Sequence, residues 1–113
     1  MSEIFPEPIR NLCQADIPLS GLKAYLSQAE NHQILFMEFN EDAEVQEHSH
    51  EAQWGVVLAG KIDLTIDGIE HTYSRGDSVF IPQGARHSAK VYGGYADVSF
   101  FNQRDRYSVI SSK

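Results

Sequence analysis

The chain has 113 residues, 42% hydrophobic and 22% charged, the composition of an ordinary folded domain rather than a disordered or fibrous one. Nine basic residues against 16 acidic ones leave a net charge of −7, which argues against nucleic acid and anionic membrane as partners. The length supports a single domain with one core. Lone Cys13 excludes an internal disulfide and fits a reducing compartment. No apolar run approaches the roughly 20 residues of a membrane helix, and the N-terminus lacks a basic start and a signal core. A cytoplasmic protein is expected.

Residues 1–21 carry Pro6, Pro8 and Pro18 with few periodic apolar positions. They read as an extended N-terminal arm with a half-turn of helix near Ile9 to Cys13. Residues 22–113 then read as a single β domain. Leu22 to Ala29 forms a first strand, turned by Glu30-Asn31-His32 into Gln33 to Phe39. Ile34-Leu35-Phe36-Met37 is apolar on both faces, so that strand belongs inside a sandwich. An acidic turn at 40–44 leads into a strand from Val45 to His50, and Gln53 to Leu58 is again apolar on both sides. Lys61 to Asp67 alternates cleanly, with Ile62, Leu64 and Ile66 inward. Asp67-Gly68 is a strong two-residue hairpin signal. It pairs Ile66 with Ile69, Leu64 with His71 and Ile62 with Tyr73, which puts His71 on the apolar face. Val79 to Ile81, His87 to Tyr92 and Tyr95 to Phe101 complete the strands, and Val109-Ile110 adds an edge strand or arm. About ten short strands separated by turns mean a β-sandwich or barrel.

Chemistry concentrates in two segments. Side chains two apart on a strand share a face, so His48 and His50 present two imidazoles together. His87 supplies a third from a strand punctuated by Pro82 and Gly84. Gln53 lies at odd parity to the two histidines, so a bend at Glu51-Ala52 is needed for it to join them. Three imidazoles and one amide oxygen suit a divalent ion such as Zn, Fe, Mn or Ni.

The spacing Gly76, Pro82, Gly84, His87 resembles the second signature of the cupin family without a gap. His48, His50, Gln53 and Gly60 resemble the first, with Gly60 and Gly76 separated by a short linker. The resemblance runs from about Glu38 to Phe101. It implies an all-β, double-stranded β-helix (jelly-roll) barrel with one metal ion at His48, His50, Gln53 and His87. The family pattern departs at three places. Asp42 replaces an opening Gly, Gln53 stands for the usual Glu, and Val91 replaces a common Asn. Gln does serve as a ligand in some members, including a group resembling small polyketide cyclases.

An open coordination position separates catalytic from closed structural metal sites. The expected function is a small metal-dependent enzyme, of dioxygenase or of cyclase/isomerase type, acting on a small organic substrate in the barrel. The alternative is a non-catalytic metal-containing module that binds or senses a small ligand. With Gln53 in place of Glu, the first-shell carboxylate is missing, and Glu38, Tyr25, His71 and Asp97 are the candidate proton acceptors. The strands that are apolar on both faces carry more apolar surface than one barrel interior needs. That predicts a homodimer with Trp54 at the contact.

Overall fold

In the computed structural model, which describes residues 4–110, Asp67 and Gly68 both take positive φ, 49° and 83°. This backbone matches the right-handed twist of paired strands and closes a two-residue hairpin. Strands β6 (Lys61–Ile66) and β7 (Ile69–Ser74) flank it in the expected register, with Leu64 opposite His71 and Ile62 opposite Tyr73.

The chain before the hairpin forms α1 (Glu7–Arg10), β1 (Cys13–Gln14), β2 (Leu22–Gln28), β3 (Gln33–Phe39), β4 (Ala43–His48) and β5 (Gln53–Ala59). After it come β8 (Ser78–Ile81), β9 (His87–Val91) and β10 (Ala96–Phe101). Two antiparallel sheets result, one in the order β1-β2-β3-β10-β5-β8 and the other β4-β9-β6-β7. This is the double-stranded β-helix that the sequence implies. The helical turn lies a little earlier than expected, because Pro8 is tolerated where the first N–H groups of a helix have no partner.

One strand departs from the expected parity. In the β4–β9 pair, Val45 lies opposite Ala89 but His48 lies opposite His87, so β4 carries an extra residue at Gln46-Glu47. This bulge lets Val45 and His48, three apart, both line the barrel interior. The strand ends at His48, and His50 sits in the irregular segment 49–52 rather than on a strand. There Gly84 N–H donates to His50 O at 2.9 Å, tying the segment to the loop that leads to His87.

The interior is apolar towards one end, where Phe39, Val57, Ile62, Val91 and Tyr95 pack together. The N-terminal arm and the segment after β10 meet at the other. Phe5 is buried edge-on against Tyr25 and Phe36, covering one side of the outer face of the larger sheet. Ala15 bridges Val109, and Ile110 N–H donates to Gln14 O at 2.8 Å. Gln33, fully buried, accepts from Tyr107 N–H at 3.0 Å and donates to Tyr107 O at 2.8 Å. A buried amide with both ends satisfied fixes a chain crossing without an unpaired polar atom. Cys13 is exposed.

Gly60 takes φ +71°, and a Cβ there would fall 2.7 Å from Tyr95 Cα, whereas at Gly68 (φ +83°) it would meet nothing within 4 Å. Gly68→Ala therefore carries only the left-handed penalty, about 1–2 kcal/mol. Gly60→Ala adds a backbone collision and is expected to lose at least about twice as much in urea denaturation. Equal losses would show that the β10 entry yields freely.

Candidate metal centre and cavity

Each of the three histidines is held by nearby backbone. The Nδ1–H of His48 donates to Gln46 O (2.8 Å), that of His50 to Glu51 O (2.7 Å) and that of His87 to Ala85 O (2.9 Å). With Nδ1 carrying the proton, each Nε2 presents a lone pair. The ligand atoms of the three rings all lie within 4.8 Å of one another. His50 Nε2 and His87 Nε2 are 3.1 Å apart. Two acceptors at that distance have no proton to share. Two imidazoles at right angles on one ion, with bonds of about 2.1 Å, stand roughly 3 Å apart. The donor set therefore fits a divalent cation, and the backbone carbonyls act as the outer partners that orient such ligands.

Electrostatics favour the neutral, ligating form. Burial pushes His50 down to about 4, with the Arg106 charge and the neighbouring rings acting in the same direction. His87 is lowered for the same main reason.

The imidazoles open into a cavity of about 130 Å³. That is roughly ten times the 10–15 Å³ one water needs, so a small organic molecule fits. Its walls are mostly apolar, among them Met37, Phe39, Val57, Ile62 and Phe101. Gln53 also lines it, and its Nε2 donates to Ser99 Oγ at 3.3 Å. Ser99 Oγ in turn donates to Asp97 Oδ1 at 3.3 Å, and Tyr95 OH donates to Asp97 Oδ2. Asp97 is buried, and burial raises it to about 7 against the pull of those two hydrogen bonds. It can thus hold or release a proton near neutrality. Tyr95 is raised by burial and by the adjacent carboxylate.

Of the four candidate proton acceptors, Asp97 alone reaches the cavity. Tyr25 and Glu38 project from the outer face of the larger sheet, out of phase with Ala24, Met37 and Phe39, and Phe5 covers Tyr25. His71 is on the apolar side as paired, but β7 is an edge strand, so the ring is exposed and stacks on Tyr73. Two cavity residues escaped the sequence reading. Arg106 and Tyr107 come from the polar segment after β10, which carries no strand periodicity.

The sequence matches the cupin domain description over residues 35–101, more than half the chain. The chain belongs to the cupin family. An RmlC-like cupin from Shewanella frigidimarina superposes with a TM-score of 0.73 at 24% identity, over 93% of this chain and 94% of that one. KdgF from Halomonas sp. gives 0.71 at 19% identity, over 93% and 97%. Oxalate decarboxylase from Bacillus subtilis, a protein with Mn(II) centres, gives 0.71 at 21% identity, over 86% of this cupin and 29% of that chain. At these identities the likeness establishes the fold. No curated protein matches the sequence.

A carboxyl whose folded value lies above its ordinary 3.8 favours folding at low pH and loses that advantage as pH rises through about 7. Relative to Asp97→Asn, the native protein should lose on the order of a few kcal/mol of stability between pH 4 and pH 8. Urea midpoints measured across that range check this. Parallel curves for the two proteins would mean that Asp97 is ionised throughout.

Proposed function

We propose that this cupin is a metal-dependent enzyme of isomerase or cyclase type, in which Asp97 moves a proton on a small substrate bound in the barrel. The observation that supports this most is the pairing, in one apolar cavity, of three Nε2 lone pairs with a buried carboxyl that titrates near neutrality. His48, His50 and His87 hold the ion, and the Gln53 side-chain oxygen completes the set as a neutral ligand. A divalent ion there lowers the energy of negative charge developing on a substrate oxygen. Asp97 Oδ takes the proton, Tyr95 and Ser99 hold its carboxylate in place, and the apolar walls exclude water. A dioxygenase would use the same ligands without needing the Asp97 proton. A metal-containing binding module would use the same ligands and move no proton.

His87→Ala should remove most bound metal in elemental analysis. Gln53→Ala should weaken metal binding by only about 1–2 kcal/mol against a competing chelator, roughly tenfold. The metal-loaded native protein should exchange the α-hydrogens of small ketones for deuterium in D₂O, read by NMR, and Asp97→Asn should slow that exchange at least 100-fold. Oxygen uptake without exchange would make the protein an oxygenase, and binding without either would make it a carrier.

The assembly proposed with this activity is a homodimer through the outer face of the larger sheet. Trp54 and Phe80 are cross-strand partners there, 47% and 59% exposed, with Phe100 on the other side of Trp54. Phe5 covers only the Tyr25 side of that face. Light scattering should give twice the chain mass at micromolar concentration, and Trp54→Glu should return it to one.

A further inference from the structure

At the mouth of the barrel, Arg106 is the one fixed cation among the described residues lining the cavity. It also lines the outer pocket beside His50, Glu51, Gln83 and Gln103, so its side chain stands where the cavity meets solvent. The guanidinium lies over the Tyr107 ring, 4.5 Å from the ring centre. Tyr107 is itself pinned through its backbone by the buried Gln33. The cation is thereby held in place by stacking rather than by an acid. Arg106 makes no ion pair among the described residues, although Glu51 shares the pocket. Its Nε is buried without a hydrogen-bond partner, and so is Oε1 of Gln103 in the same pocket. Gln103 Nε2 is occupied by Asp105.

A buried donor left unpaired costs about 1–3 kcal/mol, more when it is charged. An arginine held free of acids beside a ligand cavity is suited to a carboxylate, which it meets with parallel N–H donors. The unpaired acceptor three residues away asks for a donor, and a hydroxyl next to a carboxylate supplies one. We infer that Arg106 anchors the carboxylate of a small hydroxycarboxylate substrate at the cavity mouth, with Gln103 accepting from its hydroxyl. The inference deepens the metal-site reading, since an anchored acid places its neighbouring carbons toward His48, His50 and His87. Its binding term is separable from the metal.

Lactate, propionate and lactamide, titrated by calorimetry into zinc-loaded and chelator-stripped protein, test it. Lactate should bind native protein in the millimolar range or better, at least tenfold tighter than lactamide and several-fold tighter than propionate. Arg106→Gln should lose that tenfold in both metal states with zinc content unchanged, and Arg106→Lys should recover part of it. Lactate affinity equal in native and Arg106→Gln protein, or no lactate binding up to roughly 10 mM, would overturn the inference. Propionate binding as tightly as lactate would remove the Gln103 hydroxyl contact. Loss of zinc binding alone, with Arg106-dependent lactate binding retained, would sink the metal reading and leave this one standing.

Discussion

Three hydrogen bonds from imidazole Nδ1–H to backbone carbonyls carry the site. They fix which nitrogen is protonated, aim the other inward, and come from Gln46, Glu51 and Ala85, all within two residues of the rings they hold. The local backbone path therefore decides the ligand geometry. The bulge at Gln46-Glu47 brings His48 to the interior, the break at 49–52 releases His50 from strand parity, and the turn at Gly84-Ala85 aims His87. The sheets supply rigidity, and the irregularities supply aim.

A second constraint closes the barrel beside the metal ligands. Gln33 is buried on β3 and holds the backbone of Tyr107, whose ring meets Phe101 edge-to-face and carries the Arg106 guanidinium over it. Losing that amide would leave two backbone groups of the C-terminal segment unpaired inside the barrel, each costing about 1–3 kcal/mol. The cost would fall on a segment with little secondary structure of its own. The metal ligands are aimed by short-range contacts, and the segment that closes the cavity beside them is held by long-range ones.

That division explains what was legible. The hairpin at Asp67-Gly68, the alternation along Lys61 to Ile66 and the apolar run at Gln33 to Phe39 are local signals, and the structure follows them closely. His48, His50 and His87 were readable because two spaced signatures tie them to one fold. The side of the sheet that Tyr25 and Glu38 occupy was not readable, since β3 is apolar on both faces and parity alone does not say which face is inside. Only the Phe5 contact and the registers with β2 and β10 settle it. Arg106 and Gln33 left no periodic trace, because their roles come from residues more than 70 positions apart meeting in space.

Charge completes the picture. A protein with a net charge of −7 repels anions at long range, so an anionic substrate needs a local field of the other sign. Burial supplies the conditions for one. It keeps His50 and His87 neutral and shifts Asp97 towards its uncharged form, so little negative charge in the cavity cancels the guanidinium of Arg106. Were Asp97 fully ionised at neutral pH, its charge would oppose both an incoming acid and the build-up of negative charge on a bound substrate. The same desolvation that makes Asp97 able to move a proton thus leaves the positive charge of Arg106 largely uncancelled.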